Sequence, residues 1–572
     1  MGGENTPLYD VRRIADLKDM LSQSAELYGT KSAFLVKSKE GGYSPITYQE
    51  FKEDVDALGT ALLNLGLRGK RIAVIGENRY EWAVTYLAVL CGVGTIVPLD
   101  RELPINEIEN LLKISEASGI IYSGKQEKSI INIQSELSSI NTYVSMDVDV
   151  DAENVLSFSM LIEKGEKLIA QGDTSYINEK IDVEEMCILL FTSGTTGLAK
   201  GVMLSHKNIC TNLAAMCSML YIAKDDIFLS VLPLHHTYEC TCGFLCPIYR
   251  GSAIAYSEGL RYITKNMQEA KATVMLAVPL LFESMYKKIW QQAEKGGMAL
   301  KLRTGIKINN FLKKFGMDLS RKLFNKIHEN LGGHLRILIS GGAGIDPVVS
   351  KGFRDLGLPM VQGYGLTECS PIVALNRDCC FKDDAAGLPL PGIEVRIHNP
   401  GDEGVGEIIC KADSIMLGYF ENEAATEEVL KDGWFHTGDL GFVDKAGFVH
   451  ITGRKKNVIV TKNGKNIFPE EVEAYLGRSP YITESLVWGK YDESDGETYV
   501  NVEIFPNFEE VEKKLGKEYN EEKLRELIST QIKEVNHQMP LYKRIKNYSL
   551  RKEEFIKTTS KKIKRFAETS KG

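Results

Sequence analysis

The sequence predicts an α/β fold, in which a large multi-layer body precedes a small α+β domain. Short β-branched runs such as Arg71–Ile75, Ile188–Phe191 and Arg336–Ile339 alternate with helical stretches up to about residue 455, a pattern typical of mostly parallel sheets. From about Asn457 the composition shifts toward charged residues. Because 572 residues are too many for one ordinary core, we expect the body at 1–456 and the second domain at 457–572.

A glycine-rich loop separates two predicted strands of the body. The uncharged apolar run Cys187–Phe191 leads into this loop, and a second short strand, Val202–Leu204, follows it. The segment after that strand has the apolar period of a helix, with Ile209, Leu213, Met216 and Leu220 on one side. We therefore expect the loop to connect two neighbouring strands.

Two helices are predicted in the small domain. Pro469, followed by Glu470 and Glu471, is typical of a helix start, because proline and acidic residues both fit the first helical turn. A second helix is indicated by apolar residues at helical spacing, namely Leu524, Leu527, Ile528, Ile532 and Val535. No low-complexity linker separates the two predicted domains, so the boundary should be short.

Charge and hydropathy exclude several classes of protein. The chain has 69 basic and 77 acidic residues, a net charge of −8 and a pI near 5.8, so it offers no global positive field for nucleic acid. No stretch approaches the ~20 uncharged apolar residues that span a bilayer, and the N-terminus lacks the layout of a secretory signal. We expect a cytoplasmic protein that does not bind nucleic acid.

One segment departs from this acidic background. Residues 287–326 contain eleven Lys or Arg and two acidic residues, Glu294 and Asp318, which gives a net charge of +9. The segment has a helical pattern, with Ile308, Leu312 and Phe315 predicted on one face. It is either a solvated basic surface or a surface that contacts anionic lipid, and the sequence leaves both interpretations open.

The loop between the two predicted strands has the chemistry of a phosphate-binding loop. Glycines let backbone N–H groups turn toward an anion, hydroxyls donate further hydrogen bonds, and an ammonium group adds charge. The spacing does not fit a P-loop, and a plain surface turn would not require four hydroxyls. The loop residues are Thr192, Ser193, Gly194, Thr195, Thr196, Gly197, Leu198, Ala199, Lys200 and Gly201.

This loop resembles the T-S-G-T-T-G-x-x-K-G motif of the adenylate-forming superfamily, which includes acyl-CoA synthetases, luciferases and peptide-synthetase adenylation domains. Further motifs of that superfamily occur in the expected order over residues ~45–565, which argues against a chance match. The resemblance implies a mobile C-terminal domain. It also implies that the phosphates of ATP contact Thr192, Ser193, Gly194, Thr195, Thr196, Gly197 and Lys200.

Two more motifs resemble the adenine and α-phosphate contacts of the superfamily. The turn Ser340–Gly344 is similar to the adenine-side turn, which implies contacts from Gly341, Gly342 and Ala343, since glycine permits a close backbone approach.

The more specific of the two is Gly363-Tyr364-Gly365-Leu366-Thr367-Glu368. The resemblance implies that Tyr364 stacks on adenine beside Gly365, that Thr367 bonds the α-phosphate and that Glu368 helps to hold Mg²⁺. One carboxylate is chemically adequate, because Mg²⁺ usually keeps several of its waters.

Motifs near the predicted domain boundary resemble ribose-binding and hinge segments. Thr437-Gly438-Asp439 is similar to the motif whose Asp accepts hydrogen bonds from both ribose hydroxyls, a task that suits an anionic acceptor. In Gly453-Arg454-Lys455-Lys456 the resemblance implies a ribose or phosphate contact at Arg454 and the interdomain hinge at Lys456. It places Gly464 on the side from which the thiol enters.

Two candidate catalytic side chains follow from the same resemblance. The segment Lys557–Ile563 departs from the superfamily pattern K-T-x-S-G-K-I, because Lys561 replaces the glycine. Lys562 is in register with the lysine that stabilises the charge developing during adenylation, and Lys561 could share that role. Pro233-Leu234-His235-His236 resembles an acyl-pocket motif that ends in histidine, which places His236 in register.

The resemblance implies an acid–thiol ligase that uses ATP, Mg²⁺ and CoA. The substrate carboxylate would attack the α-phosphorus to give an acyl-adenylate, and a thiol would then take the acyl group. The segment Val278–Tyr286 and the basic insertion after it are similar to long-chain fatty acyl-CoA synthetases, so we expect a long-chain fatty acid. An acyl-carrier-protein ligase and a non-catalytic acyl- or nucleotide-binding regulator remain as alternatives.

Overall fold

The computed structural model describes residues 7–38, 41–152, 154–192, 199–401, 403–461, 465–492, 494, 497–557, 563–565 and 568. By packing, the chain divides into two compact units. The first comprises Met1–Glu394, Cys410–Phe435 and Lys445–Phe448, and the second comprises Val395–Ile409, His436–Asp444 and Val449–Gly572. The predicted boundary between residues 456 and 457 stays a prediction.

Strands are numbered in chain order over the described residues. They are β1 Ser32–Lys37, β2 Tyr43–Thr47, β3 Lys70–Ile75, β4 Gly94–Leu99, β5 Gly119–Tyr122, β6 Thr142–Ser145, β7 Leu156–Ser157, β8 Met186–Thr192, β9 Lys200–Ser205, β10 Ile227–Ser230, β11 Ala253–Tyr256, β12 Val274–Ala277, β13 Ile337–Ser340, β14 Met360–Gly365, β15 Ile372–Leu375, β16 Leu388–Pro389, β17 Glu394–His398, β18 Gly406–Lys411, β19 Gly418–Tyr419, β20 Leu430–Lys431, β21 Trp434–Val443, β22 Val449–Arg454, β23 Ile459–Val460, β24 Asn466–Ile467, β25 Ile482–Asp492, β26 Glu497–Pro506 and β27 Ile545–Leu550.

Helices are numbered in the same way. They are α1 Leu17–Tyr28, α2 Tyr48–Asn64, α3 Tyr80–Ala88, α4 Ile105–Ile114, α5 Glu127–Ile133, α6 Phe158–Ala170, α7 His206–Met219, α8 Cys246–Arg250, α9 Ile263–Ala270, α10 Pro279–Lys295, α11 Ala299–Lys313, α12 Ser320–Leu323, α13 Asn325–Asn330, α14 Pro347–Asp355, α15 Glu423–Val429, α16 Pro469–Gly477, α17 Phe508–Leu515 and α18 Glu521–His537.

Two large mixed sheets form the framework of the first unit. One has the strand order β16-β15-β14-β13-β12-β10-β11-β1-β2, and the other has the order β19-β9-β8-β4-β3-β5-β6-β7. The inner strands of both sheets pair in parallel, whereas the outer pairs β1–β2, β14–β15, β15–β16, β8–β9 and β9–β19 are antiparallel. The parallel strands carry turns at their carboxyl ends, which is where ligands bind in such sheets.

The apolar runs explain why these strands are central. In β3, Ile72 to Ile75 are fully buried, as expected for a parallel strand that is covered on both faces. Helix starts are set by capping groups: Thr47 and Glu50 form a capping box at α2, and Pro279 occupies the first turn of α10. The cores under the two sheets are formed by separate clusters of aliphatic side chains.

The second unit contains the three-stranded sheet β25-β26-β27 and the short pair β23–β24. Helices α16 and α18 pack on it through one apolar cluster that includes Val472, Leu476, Ile528 and Ile532. A further sheet has the order β17-β18-β21-β20, with β22 pairing with β21. The pairing of β21 with β22 sets Asp439 opposite Arg454.

These elements confirm the predicted fold class, a large α/β body with mostly parallel sheets and a small α+β domain. The three predicted strands of the body are β3, β8 and β13, and the glycine-rich loop does connect two paired strands, β8 and β9. The helices predicted from Pro469 and from the Leu524–Val535 pattern are α16 and α18. Among the residues described above, no helix is long and apolar enough to cross a membrane.

Close contact between α2 and α6 provides a test of this packing. A Cβ atom added at Gly165 would lie 1.8 Å from the carbonyl oxygen of Ala57, so Gly165→Val should lower the free energy of unfolding by about 2–3 kcal/mol through overpacking. Urea unfolding followed by tryptophan fluorescence measures this loss. The exposed neighbour provides a control, since Lys164→Ala should stay within about 0.5 kcal/mol of wild type. Equal midpoints for both variants would contradict the described helix contact.

Candidate active site

The paired ends of β8 and β9 hold the two described ends of the predicted phosphate loop. Thr192 lies opposite Lys200, and its hydroxyl donates to the carbonyl oxygen of Lys200 at 3.4 Å. Of the predicted phosphate contacts, Ser193, Gly194, Thr195, Thr196 and Gly197 lie outside the described residues. Thr192 and Lys200 therefore fix where the loop leaves the sheet and where it returns.

Tyr419 connects this loop to the predicted metal ligand. Strand β19 pairs with β9, with Tyr419 opposite Val202. The Lys200 ammonium lies 4.7 Å from the centre of the Tyr419 ring, and the Tyr419 hydroxyl donates to Oε1 of Glu368 at 2.9 Å. Burial and the Glu368 carboxylate raise the pKa of Tyr419, so this phenol stays a donor. Sequence reasoning missed Tyr419, because its link to Glu368 depends on strand pairing.

Thr367 connects the predicted α-phosphate contact to the predicted acyl-pocket loop. Its hydroxyl shares a hydrogen bond with the hydroxyl of Thr237, at 3.2 Å. The preceding Gly365 has no room for a side chain, since an added Cβ would lie 1.9 Å from the carbonyl oxygen of Pro371. Tyr364 is half-buried on β14. The segment Tyr364–Glu368 thus contacts both Tyr419, beside the predicted phosphate loop, and Thr237, beside the predicted acyl-pocket motif.

The predicted adenine-side turn begins where β13 ends. A Cβ atom at Gly341 would lie 2.6 Å from the ring of Tyr238, whose hydroxyl donates to the carbonyl oxygen of Ile339 at 3.0 Å. Gly342 has φ +82°, a conformation that glycine adopts without strain. Gly342 and Ala343 are exposed, so their backbone is accessible to a ligand.

The two neighbouring histidines have different environments. Their ring centres lie 4.1 Å apart. His235 is buried, with Nε2 3.6 Å from Asp100, and burial lowers its pKa well below the usual value. His236 is half-buried. The side chain that the sequence places in register is therefore also the less buried of the pair, and its role stays a prediction.

A buried polar network holds the loop that carries these histidines. Asn78 Nδ2 donates to the carbonyl oxygen of Leu232 at 2.6 Å and to the hydroxyl of Ser230 at 2.9 Å, while Asn78 Oδ1 accepts from the Leu234 N–H at 3.1 Å. The Ser230 hydroxyl in turn donates to Oε1 of Glu239 at 2.6 Å. Asn78 follows β3 at the carboxyl end of the sheet, a position at which a polar residue could have been flagged.

Glu239 is the buried end of this network. It lies in a π-helical stretch, Tyr238–Leu245, and is 1% exposed. Burial raises the pKa of its carboxyl to about 8, so at neutral pH the group is mostly protonated. Gly243 leaves room for it, since a Cβ there would lie 2.7 Å from the carboxyl carbon. Glu239 therefore acts as a neutral hydrogen-bonding group behind the histidine loop.

An apolar cavity of about 40 Å³ lies between α7, the π-helical stretch and the ends of β13, β14 and β15. The Ser340 hydroxyl at its edge is fully buried and has no hydrogen-bond partner within the described part of the chain. At this volume the cavity has room for only a few water molecules. It is lined by Met216, Cys217, Leu220, Ile222, Phe228, Tyr238, Cys242, Cys246, Ile339, Ser340, Gly363, Ile372 and Leu375.

In the second unit, Asp439 and Arg454 form an ion pair. Arg454 Nε lies 2.6 Å from Asp439 Oδ1, and the side chain of Asp439 is 6% exposed. Thr437 holds the turn, because its hydroxyl donates to the carbonyl oxygen of Ile408 at 2.7 Å and accepts from the Asp439 N–H at 3.0 Å. The two residues predicted to contact ribose or phosphate are thus brought together.

Glu407 connects the segment before Asp439 with the segment after Arg454. Its carboxylate accepts from the Gly438 N–H at 3.2 Å and from Lys455 Nζ at 2.9 Å, and it lies 3.3 Å from Nδ1 of His436. Burial opposes ionisation of Glu407, but the hydrogen bonds from Lys455 and His436 outweigh it and lower its pKa. Sequence reasoning missed this buried carboxylate.

The predicted hinge residue comes directly after Lys455 in the sequence. Lys456 lies in a short 3₁₀ turn, Lys455–Asn457. Partial desolvation and the positive charges of Arg454 and Arg565 lower the pKa of Lys456. The other predicted residues of this unit, Gly464 and Lys562, lie outside the described residues, and so does Lys561.

Comparison with known proteins identifies the family. The family described as AMP-binding enzyme matches residues 21–420, and its C-terminal domain matches residues 456–572. The chain belongs to the AMP-binding enzyme family. It is 30% identical over 551 residues to fatty acyl-CoA synthetase A of Dictyostelium discoideum, covering 91% of this chain and 79% of that protein.

A carrier-protein ligase and a solved CoA ligase are also similar. A chloroplastic long-chain-fatty-acid–[acyl-carrier-protein] ligase of Arabidopsis thaliana is 26% identical over 592 residues, covering 90% of this chain and 79% of that protein. The crystal structure of the anthranilate CoA ligase AuaEII with anthranoyl-AMP aligns with a TM-score of 0.76 and 20% identity, covering 100% of this chain and 99% of that chain. At that identity the likeness shows a shared fold.

Enzymes of this kind use ATP and Mg²⁺, and the first unit fits both. Glu368 offers a carboxylate that is oriented by the Tyr419 hydroxyl, and Lys200 brings a positive charge to the same tyrosine. No group of three His, Cys, Asp or Glu that could hold a metal occurs in the described ranges. One carboxylate together with phosphate oxygens and water suits Mg²⁺, which is often held in this way.

The raised pKa of Glu239 should make the free energy of unfolding depend on pH. Its pKa is raised from 4.5 to about 8 on folding, so the folded state holds a proton that the unfolded state releases. The stabilisation that this retained proton gives to the folded state is fully present below pH ~4.5 and is lost as the pH rises to ~8. Over that range the free energy of unfolding falls by at most about 1.4 kcal/mol per pH unit. Glu239→Gln keeps an acceptor for Ser230 but does not ionise.

We therefore expect the melting temperature of Glu239→Gln to rise relative to wild type between about pH 5 and pH 8. Thermal unfolding at intervals of pH measures the difference. Glu166→Gln, at an exposed position of α6, should show no such trend. A difference that stays constant across this range would mean that folding does not raise the pKa of Glu239.

Glu407 gives a prediction for nucleotide binding. Glu407→Gln removes the charge that holds Lys455 and His436, and a charge-assisted hydrogen bond contributes about 1.5–3 kcal/mol. We expect KM for ATP to rise about tenfold or more while KM for the acid stays unchanged. Glu403→Gln, at an exposed position before β18, is the matched control. An unchanged KM for ATP in Glu407→Gln would show that Glu407 does not orient the ribose-side loop.

Proposed function

We propose that the chain activates a long-chain fatty acid with ATP and transfers the acyl group to CoA, releasing AMP and pyrophosphate. The observation that carries the proposal is the contact chain in the first unit. Lys200, Tyr419 and Glu368 form its charged end, and the Thr367–Thr237 hydrogen bond joins the neighbouring motif to the acyl-side loop. These contacts support the proposal, because they join the residues assigned to phosphate and Mg²⁺ to the loop assigned to the acyl side.

In the first half-reaction, a substrate carboxylate oxygen bonds to the α-phosphorus and the bond from that phosphorus to the pyrophosphate oxygen breaks. Thr192, Lys200 and the loop between them would hold the β- and γ-phosphates, and Thr367 would donate to the α-phosphate. Bound Mg²⁺ would supply charge neutralisation beside Glu368. Lys562 would stabilise the developing charge, and the unpaired Ser340 hydroxyl is suited to donate to the substrate carboxylate.

In the second half-reaction, the CoA sulfur loses its proton and bonds to the acyl carbon, while the bond between that carbon and the AMP oxygen breaks. The mixed anhydride hydrolyses easily, so the site must exclude water until the thiol arrives. We place the ribose at Asp439 and Arg454, the domain hinge at Lys456 and the thiol path at Gly464. The ion pair in the second unit supports the ribose assignment, because the turn holding Asp439 is already ordered by Thr437.

The acyl chain is assigned to the apolar cavity. Its lining is almost entirely aliphatic, aromatic or sulfur-containing, which suits a hydrocarbon chain. Because the cavity is only about 40 Å³, a long chain requires side chains of the lining to move. Met216 is the most adaptable of them, since methionine is unbranched and flexible.

Two features extend the proposal beyond the reaction. An acid of this kind partitions into lipid, and we place the enzyme in the cytoplasm with a peripheral membrane contact through residues 287–326.

The alternative acceptor of the acyl group is an acyl carrier protein, because a relative with similar coverage is named as an acyl-carrier-protein ligase. A non-catalytic regulator is disfavoured by the intact Thr367, Glu368 and Asp439.

A panel of acids tests the function. We expect AMP formation to be fastest with acids of long chain and slow with acetate, because the lining of the cavity is apolar. CoA and acyl carrier protein should be compared as acceptors, and CoA should give the faster thioester formation. Glu368→Gln should lower AMP formation by about 10²–10³-fold, through loss of charge stabilisation. If no acid gave AMP with either acceptor, the ligase proposal would fail.

A further inference from the structure

Helix α11 has its apolar residues on the solvent side. Leu300, Ile308 and Phe311 are 76%, 52% and 60% exposed, and Phe315 just beyond the helix is 65% exposed. Together with Thr304 these positions follow a helical spacing along one face, which we call the α11 stripe (Leu300, Thr304, Ile308, Phe311 and Phe315). Phe311 and Phe315 touch each other, with ring centres 5.2 Å apart. The stripe therefore exposes four large apolar side chains on one face of the helix, two of them in contact.

The opposite side of α11 faces the protein and carries half-buried Leu302 and Ile306 beside buried polar groups. Asn309 is completely buried, donates to the Ser320 hydroxyl at 2.8 Å and accepts from the Leu319 N–H at 2.8 Å. Gly305 faces the ring of Phe324, 3.3 Å from where a Cβ would lie. The helix thus packs one side against the protein and also exposes a second set of apolar side chains with two aromatic rings, which an ordinary surface helix does not do. A water-facing role does not explain this arrangement.

Positive charge borders the stripe. Helix α11 contains Lys301, Arg303, Lys307 and Lys313 and no acidic residue, and Lys314 follows it. The acidic group nearest in sequence is already engaged, because Asp318 accepts from the Ser320 N–H and lies 3.5 Å from Lys313. Arg303 lies over the ring of Trp290 on α10. Lys313 is engaged by Asp318, so Arg303, Lys307 and Lys314 are the cations beside the stripe that make this face attractive to an anionic surface.

We propose that the α11 stripe and its flanking Arg303, Lys307 and Lys314 form a docking surface for the anionic face of a lipid bilayer. Exposed apolar side chains rimmed by Lys and Arg gain free energy by inserting at the headgroup boundary, while the cations pair with lipid phosphates. The use of this contact for reaching the substrate rests on the proposed function, because a long-chain acid is most concentrated in membranes. Residues 287–326 have a net charge of +9 in a chain whose net charge is −8. This asymmetry turns the basic face of the molecule toward an anionic surface.

Co-sedimentation with vesicles tests the docking. Wild-type protein should pellet with phosphatidylcholine vesicles that contain about one third phosphatidylglycerol, at roughly 50 mM salt, and much less with phosphatidylcholine alone. Phe311→Ser/Phe315→Ser should lower partitioning about tenfold or more, through lost insertion, and Lys307→Glu/Lys314→Glu should lower it at least as much. Leu27→Ser, on a side chain that is 59% exposed on α1, and Lys523→Glu, at an exposed position of α18, are the matched controls.

A second readout locates the contact. In Phe311→Trp the new indole should be quenched by lipids brominated on their acyl chains, relative to wild-type protein. Equal pelleting of wild type and Phe311→Ser/Phe315→Ser would overturn the proposal. So would loss of binding in the charge variant alone, since that result would mean that the protein adsorbs to anionic headgroups by charge and that the stripe does not insert.

Ligase activity separates the two proposals. With a short, water-soluble acid and no vesicles, both double variants should form AMP at the wild-type rate. If wild-type protein pelleted with vesicles but formed no AMP with any acid, the proposed function would fail and the docking surface would stand. If AMP formed normally but no vesicle binding occurred, the docking proposal would fail and the function would stand.

Discussion

The pairing of β9 with β8 on one side and with β19 on the other is the constraint on which the site of the first unit depends. Backbone hydrogen bonds set Thr192 opposite Lys200 and Val202 opposite Tyr419. Tyr419 then reaches both Lys200 and Glu368, which are far apart in the sequence. Because strand register is fixed by regular hydrogen bonds, the cation of the phosphate loop and the predicted metal ligand keep a defined separation without touching each other.

A second constraint is the buried hydrogen-bond network that positions the loop carrying the two histidines. Asn78 holds the backbone before the histidine pair, and Ser230 connects it to Glu239. A buried carboxyl is tolerated here because it is neutral: burial raises its pKa to about 8. Buried polar networks of this kind specify one arrangement, because each broken hydrogen bond would leave a group without water. The histidine loop is held by the protein interior, whereas the two described ends of the predicted phosphate loop are held by the paired strands β8 and β9.

The second unit and the α11 face of the first unit use charge in opposite ways. At Glu407 and Asp439 buried carboxylates are matched by Lys455 and Arg454, so local charge is balanced. On α11 only Lys313 has an acidic partner, Asp318, whereas no ion pair of Arg303, Lys307 or Lys314 occurs within the described residues, and exposed apolar rings lie beside them. Balanced charges orient loops for a small ligand, whereas unbalanced charge beside exposed apolar surface favours a large anionic partner. Of the face predicted from Ile308, Leu312 and Phe315, Ile308 and Phe315 are exposed to solvent, whereas Leu312 is half-buried.

Sequence by itself determined the fold class, the strands β3, β8 and β13, the helices α16 and α18 and the family, because these depend on local apolar periods, capping residues and short motifs. The residues that the motifs flagged, such as Thr367 and Asp439, could be named before any coordinates, although their roles stay predictions. Tyr419, Asn78, Glu239 and Glu407 could not be assigned to the site in this way. Each acts through a partner that is remote in sequence, and only strand pairing and burial decide which partner a side chain meets.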